Sequence, residues 1–469
     1  MTPTPTQALT LPDRRQRIRA RAHVAPVASM NLDQWLARLE QAHPRGIDLG
    51  LERVGAVWRA LGAPRPARRV ITVGGTNGKG STVAFIEAAA GANDWRVGAY
   101  TSPHLLRYNE RIRIDGADAG DAAIVAAFER IEAARGDISL SYFEFGTLAG
   151  LLLMAAADLD LAILEVGLGG RLDAVNIVDA DVAVVTTVAL DHQDWLGDSR
   201  AAIAREKAAI AREGRPLVVG ERDAEPAWLA AAGSIGAVVL RLGRDFDARP
   251  GSPGDAHWQF QSDRLEVATP IALPSLPLPA PVQRDNAVTA LAALLALTAF
   301  PATASASVPP RVSPLDPQRA AQGLAQAQLR GRLQRIASAP EVLVDVGHNP
   351  QAAQVLADWL ATQGDGRVTD AVFSALADKD IAGIVAPLRP FIRHWHLAGL
   401  QEAGPRGMPV AALTERLRGV LPDDRLFRHR DVAAALRAAR AAATADGRVL
   451  VFGSFLTVAA ALQAVAADG

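Results

Sequence analysis

From Arg69 onward the chain alternates short, unbroken apolar runs with longer segments whose apolar residues recur every three or four positions. The runs Val70–Val73, Val97–Thr101, Leu161–Val166, Val182–Val188 and Leu217–Val219 predict strands. Helices are predicted near Ser81–Ala90, Ala122–Ala134, Phe143–Ala157 and Ser199–Ala211. Such alternation is the signature of a parallel sheet with crossover helices. Runs without a polar alternate residue place that sheet under cover on both faces. Between Val238 and Ala272 the pattern shortens to pieces such as His257-Trp258-Gln259-Phe260 and Leu265-Glu266-Val267, predicting a small antiparallel patch. A helix at Asn286–Leu297 follows. A second α/β unit starts at Val342-Leu343-Val344-Asp345-Val346 and continues through Ala371–Ser374, His394–Leu397 and Val449–Phe452.

At the amino end helical patterning begins with Leu32, Trp35, Leu36 and Leu39. The preceding residues 1–29 carry prolines and an arginine cluster (Arg14, Arg15, Arg17, Arg19, Arg21) without the apolar core of a secretory signal. They are read as a flexible extension, with Met30 as an alternative start. Residues Pro301 to Pro317, rich in Pro, Ser and Ala, read as a loop or linker.

Composition narrows the function classes. A chain of 469 residues exceeds one typical core, so two or three domains are expected. A net charge of −1 argues against a general binder of nucleic acid or membrane surfaces. The absence of cysteine excludes disulfides, thiol nucleophiles and cysteine metal sites, and fits a reducing compartment. The longest apolar stretch, Phe145 to Ala157, stops at Asp158 and is too short to span a bilayer. The expectation is a cytoplasmic, monomeric protein acting on small molecules.

The chemistry centres on Val73-Gly74-Gly75-Thr76-Asn77-Gly78-Lys79-Gly80-Ser81. It follows a predicted strand and opens a predicted helix, so backbone N–H groups and the helix dipole point at an anion, with Lys79 adding a full charge. The loop departs from G-x-x-x-x-G-K-[ST]: Val73 stands at the first glycine, and Gly80 separates Lys79 from Ser81. Other strand ends carry Thr101-Ser102-Pro103-His104, Glu165 within Leu164–Asp173, and Asp191-His192-Gln193-Asp194-Trp195. Ligands gather at the carboxyl ends of parallel strands. A carboxylate, a hydroxyl and an imidazole beside a phosphate site can hold Mg²⁺. Lys207 shares a helix face with Ile203 and Ile210, which makes it either a stem packed on the core with its head in solvent or a site lysine. In the second unit Asp345 and His348 stand at a strand end before Asn349-Pro350, a helix-start pair. Arg332 lies just upstream, within reach of a phosphate across a cleft.

Taken together these segments resemble the folylpolyglutamate synthase family of the Mur ligase superfamily. The resemblance rests on Gly75–Ser81 with its extra Gly80, Leu164–Asp173, Asp191-His192, Arg205-Glu206-Lys207, Asp345–Pro350, Asp378-Lys379-Asp380 and Phe452-Gly453-Ser454-Phe455. It covers residue 31 to the C-terminus. Val175 departs from the threonine usual in the family.

The resemblance implies an α/β fold of two parts. A P-loop ATPase domain with a parallel sheet and a small antiparallel patch spans residues 30–337, with the proline-rich stretch as an insertion. A smaller Rossmann-like glutamate ligase domain spans 338–469. It implies that Gly75, Thr76, Asn77, Gly78, Lys79, Gly80, Ser81, Asn286, Arg332, Asp345 and His348 bind ATP. Ser102, Glu165 and His192 are implied ligands of Mg²⁺. Pro103, His104, Arg107, Tyr142, Phe143, Glu144, Arg171 and Asp173 are implied to bind pteroate or folate. Lys79, His192 and Lys207 would be catalytic, Lys207 as a carbamate. The implied reaction is ATP-dependent ligation of L-glutamate to 7,8-dihydropteroate or a reduced folate through an acyl phosphate. A muramyl-peptide ligase is disfavoured by Gly80 and by the lack of a separate N-terminal nucleotide-binding domain. A P-loop kinase or motor does not explain Asp345 and His348, and a non-catalytic nucleotide-binding regulator does not explain an intact Lys79, Glu165 and His192.

Overall fold

The computed structural model describes residues 30–468 except 44–47, 225, 251–257, 301–312, 401–403 and 405. The extension over residues 1–29 and most of the proline-rich insertion lie outside these residues.

The first unit is built on an eight-stranded sheet in the order β4-β3-β2-β5-β1-β6-β7-β8. These strands are β1 (Arg69–Gly74), β2 (Val97–Tyr100), β3 (Ile112–Ile114), β4 (Ala117–Asp118), β5 (Leu161–Glu165), β6 (Val182–Val185), β7 (Pro216–Val219) and β8 (Val238–Arg241). From β2 to β8 along the sheet every pairing is parallel, while β3 and β4 pair antiparallel at the edge. The double-sided burial expected from the sequence is present. Val70 of β1, Leu164 of β5 and Val185 of β6 enter one core. Their neighbours Ile71, Ile163 and Val184 enter the other, beneath helices Lys79–Gly91 and Gln283–Ala299.

Three features differ from the sequence expectations. Val238, placed at the start of the antiparallel patch, opens β8, which extends the main sheet; the patch itself is β9 (Phe246–Pro250), β10 (Trp258–Ser262) and β11 (Ile271–Leu273). The β3–β4 hairpin was not expected, although Ile112-Arg113-Ile114-Asp115-Gly116 is an alternating run ended by an Asp-Gly turn; Asp115 and Gly116 both have positive φ. Finally, β6 stops at Val185, because Thr186 and Thr187 leave the sheet to bind the phosphate loop.

The second sheet has six strands in the order β12-β13-β17-β14-β15-β16. They are β12 (Gln334–Ser338), β13 (Glu341–Asp345), β14 (Thr369–Phe373), β15 (Ile392–Ala398), β16 (Leu426–His429) and β17 (Arg448–Phe452). All pair in parallel except β12 with β13. The strand β12, which ends at the boundary expected near Ser338, hydrogen-bonds into this second sheet. A short polar strand such as β12 carries no apolar run to reveal it.

Candidate active site

The central strand β1 delivers the phosphate loop between the ends of its neighbours. Val73 is in register with Glu165 of β5, and Gly74 with Val185 of β6. Gly75 has φ +146°, and a Cβ there would lie 1.9 Å from Thr186 Oγ1, so the turn needs glycine. Gly78, at φ +83°, is the residue before helix Lys79–Gly91. That helix presents its free N–H groups to the cavity.

A half-buried lysine and a buried one meet at this loop. Lys79 Nζ donates to the carbonyls of Gly75 (3.1 Å) and Thr76 (3.2 Å). Lys207 Nζ, in a residue only 4% exposed, donates to the same Gly75 carbonyl at 3.0 Å. The lysine placed by its helix face beside two isoleucines therefore turns into the cavity at the phosphate loop and not to solvent. Burial lowers the affinity of both amines for a proton, and the Lys79 cation adds to the effect on Lys207, whose pKa falls to about 7. Glu165 shows the converse. Burial pushes its carboxyl up against the pull of Lys79 and of the Ser102 N–H, which donates to Oε2 at 3.2 Å. A cation beside Glu165 and an anion beside Lys79 would each restore the charged form.

Across the cavity stand residues of the second unit. Asp345, at the end of β13, accepts N–H groups from Leu333 (2.9 Å) and Gly347 (2.8 Å). His348 donates Nδ1–H to the Val346 carbonyl at 2.9 Å, leaving Nε2 as an acceptor, and burial brings its pKa to about 4. The Arg332 guanidinium lies over the Phe455 ring at 5.7 Å, and its charge is answered by Asp345 and Glu165 at longer range. Asn286 reaches the loop from helix Gln283–Ala299, its Oδ1 close to Gly78.

These residues enclose one cavity of about 560 Å³. Every residue expected to bind ATP lines it, as do Ser102, Glu165, His192 and Lys207, together with Pro103 and His104. Hard oxygen donors and an imidazole beside a phosphate cradle suit Mg²⁺. Among the described residues no three His, Asp or Glu side chains cluster as a metal cage, so phosphate oxygens or water would complete the coordination.

The remaining residues expected at a pteroate site stand behind or beside this cavity, with partners of their own. Arg107 pairs with exposed Asp121 at 3.1 Å, and Arg171 with Glu206 at 2.9 Å. Glu144 closes a capping box with Ser141 and meets Arg53 at 3.1 Å. Asp173 accepts the N–H groups of Gly167, Leu168 and Val175 and so holds the Glu165 loop in shape. Tyr142 and Phe143 contribute aromatic faces near Tyr108 and Tyr100. His104 takes the Nε–H of buried Arg111 on Nδ1 at 2.9 Å.

Among the cavity residues that escaped the sequence reading of the site are Gln351, Arg406 and Lys379. Lys379 had a signal, a lysine between two aspartates just past β14. Arg406, paired with Asp378 at 2.9 Å, and Gln351 had none.

Phosphate loop, parallel sheet and facing second unit define a Mur-type ligase. The model of the Mur ligase middle domain matches residues 73–294, and that of the Mur ligase glutamate ligase domain matches residues 331–455. The chain is 45% identical to the dihydrofolate synthase/folylpolyglutamate synthase of Escherichia coli K12, over 94% of this chain and 97% of that one. It is 33% identical to the folylpolyglutamate synthase of Lacticaseibacillus casei, over 79% and 86%. The structure of E. coli FolC in complex with DHPP and ADP superposes with a TM-score of 0.83 at 43% identity, covering 95% of this chain and all of that one. A bifunctional folylpolyglutamate synthase/dihydrofolate synthase with Mn, AMPPNP and L-glutamate bound gives 0.81 at 42%, covering 94% and 99%. The chain belongs to the dihydrofolate synthase/folylpolyglutamate synthase family.

Proposed function

We propose that this chain is an ATP-dependent carboxylate–amine ligase that joins L-glutamate to 7,8-dihydropteroate, forming dihydrofolate, and adds further γ-linked glutamates to reduced folates. The observation that carries the reading is the single cavity in which Lys79 and the phosphate loop face Arg332, Asp345 and His348 of the second unit. Family membership supports it, since the relative at 45% identity is named for both activities. The relative named for folylpolyglutamate synthase alone stands at 33%, which makes a monofunctional enzyme the second reading.

A carboxylate is a poor acyl donor, so it must first exchange an oxygen's negative charge for a leaving group. The substrate carboxylate attacks the γ-phosphorus of ATP, ADP departs, and an acyl phosphate results. The glutamate amine then attacks the acyl carbon, inorganic phosphate leaves and the amine releases a proton. Lys79 and the N–H groups of the loop through Ser81 hold the phosphates, with Asn286, Arg332, Asp345 and His348 on the other side of the nucleotide. Positioning and charge stabilisation carry most of such a phosphoryl transfer. Ser102, Glu165 and His192 would hold Mg²⁺, which when bound offsets negative charge on the phosphate oxygens. Pro103 and His104 face the acceptor, and Tyr142 and Phe143 supply aromatic surface behind it. Arg107, Glu144, Arg171 and Asp173 shape that side.

Lys207 is assigned as a carbamate. An amine takes up CO₂ only when neutral, and burial brings this one to about 7. The resulting anion would lie next to Lys79 and the metal ligands. The same reading places the enzyme in the cytoplasm as a monomer. Among the described residues no helix is long and apolar enough to cross a membrane.

Mass spectrometry of products tests the proposal: dihydropteroate incubated with ATP, Mg²⁺ and glutamate should gain one glutamyl residue, and a reduced folate should gain one or more.

A further inference from the structure

Asn77 stands in the middle of the phosphate loop, yet its side chain has no capacity left for a phosphate. Its Nδ2 donates to Asn349 Oδ1 at 3.1 Å and to Gln351 Oε1 at 2.6 Å. Its Oδ1 accepts from Asn349 Nδ2 at 2.9 Å. Both amide hydrogens are thus spent on the second unit, 272 and 274 residues away in sequence. The backbone of Asn77 is tied to the first unit instead: its N–H donates to Thr187 Oγ1 at 3.1 Å, and its carbonyl accepts from Thr186 and Thr187 at 2.5 and 3.2 Å.

The partner is equally committed. Asn349 caps helix Pro350–Gln363, its Oδ1 also accepting the Ala352 N–H at 2.9 Å. Its Nδ2 lies 3.4 Å from Asp191 Oδ2, and Asp191 in turn meets Lys379. Two helix N-termini, one opening the phosphate site and one opening the second unit, are therefore linked by a reciprocal pair of amides at the edge of the cavity.

We infer that Asn77, Asn349 and Gln351 are positioning residues: the amide clasp they form holds the second unit against the phosphate loop, and so couples ATP cleavage to amide formation. The inference rests on the ligase reading given above. An acyl phosphate is hydrolysed by water, so the reaction keeps one phosphate per amide only while the units stay closed over it. No new bond is made or broken by the clasp. Its effect is on which nucleophile, glutamate or water, reaches the acyl carbon.

The test compares phosphate released with amide formed, at saturating ATP, Mg²⁺ and glutamate with dihydropteroate as acceptor. Gln351→Met keeps the side-chain length and removes the acceptor for Asn77. Gln351→Glu keeps that acceptor and serves as the conservative rescue. Asn349→Ser keeps an N-cap and removes the reciprocal amide. The parent protein should release close to one phosphate per amide. Q351M and N349S should raise the small excess of phosphate over amide, the share of acyl phosphate lost to water, roughly threefold to tenfold, the range one lost neutral hydrogen bond carries, with an unchanged KM for ATP. Q351E should return that excess to near that of the parent. An excess that stays at the parent's level in Q351M and N349S overturns the inference, whatever happens to their rates. So does a rise in KM for ATP at an unchanged ratio, which would make Asn77 a nucleotide contact. Equal uncoupling in Q351E and Q351M would also overturn it. A parent protein with no glutamate-dependent turnover would count against the ligase reading instead.

Discussion

Lys379 Nζ lies 2.6 Å from Asp191 Oδ1, joining the segment after β14 to the loop after β6 in an ion pair that is buried on both sides. His348 and His192 also approach Asp191, at 3.7 and 3.9 Å. One aspartate of the first unit thus meets a lysine and an imidazole of the second, beside the His192 imidazole of its own loop. Removing one partner of a buried pair leaves the other charge uncompensated, at a cost of roughly 3–5 kcal/mol. Lys379→Met should destabilise by that order in denaturant unfolding. The double variant K379M/D191N should lose much less than the sum of the single changes. Burial would raise the pKa of Asp191, but Lys379 and His192 outweigh it and bring it from 3.8 to about 2. A carboxyl depressed on folding stabilises fully above its ordinary value and loses that contribution as pH falls through the folded one. The stability difference between parent and K379M should therefore persist above pH 3.8 and shrink as pH falls towards 2.

Lys207 gives the opposite sign. Its folded pKa of about 7 lies below the ordinary lysine value of 10.5 because burial disfavours the ammonium. The protonated form opposes folding. That penalty is complete below pH 7 and is relieved as pH rises from there to 10.5. Lys207→Met should thus be more stable than the parent below pH 7 while losing turnover. Depleting bicarbonate should lower the parent's rate, and restoring it should recover the rate, if the carbamate forms.

Two glycines of one loop should behave differently. Gly75→Ala forces a Cβ to within 1.9 Å of Thr186 Oγ1 at a positive φ, and should cost several kcal/mol or displace the loop. At Gly80 an added Cβ meets Leu329, Arg332 and Glu165 only at 3.7–3.9 Å. Gly80→Ala sits in the first turn of helix Lys79–Gly91 and should leave stability unchanged or raise it by up to about 1 kcal/mol. Thermal unfolding of both variants checks the contrast. ATP titration of G80A then tells whether the nucleotide or metal needs the space beside Glu165.

Arg332 faces the cavity, with burial lowering its proton affinity, and is held over Phe455. An arginine so placed is poised for a ligand's anion. Arg332→Met should fold as well as the parent and raise the KM for ATP by roughly 10- to 100-fold, the range of a lost charge-assisted hydrogen bond. Lysine at this position should recover only part of the loss, since it lacks the planar fork.

Much of this site was legible because it lies in short sequence-local patterns: a strand, then a glycine-rich turn, then a helix. Lys79 and Glu165 follow or end strands of the first sheet, Asp345 and His348 stand at the end of β13 in the second, and the four meet in one cavity. The strands of both sheets were readable where burial on two faces makes them continuously apolar. β12 and β16 were not, being edge strands whose residues are largely polar or exposed. The contacts of Asn77 with Asn349, and of Asp191 with Lys379, were also hidden. Each joins residues more than a hundred positions apart through groups that could equally have faced water, and only the docking of two units pairs them.

The most direct measurement is phosphate release with ATP, Mg²⁺ and L-glutamate, offering 7,8-dihydropteroate and tetrahydrofolate in separate reactions. The account predicts glutamate-dependent release with both acceptors, and its loss in Lys79→Met. Turnover with tetrahydrofolate alone would reduce the enzyme to a folylpolyglutamate synthase. No glutamate-dependent release with either acceptor would contradict the assignment.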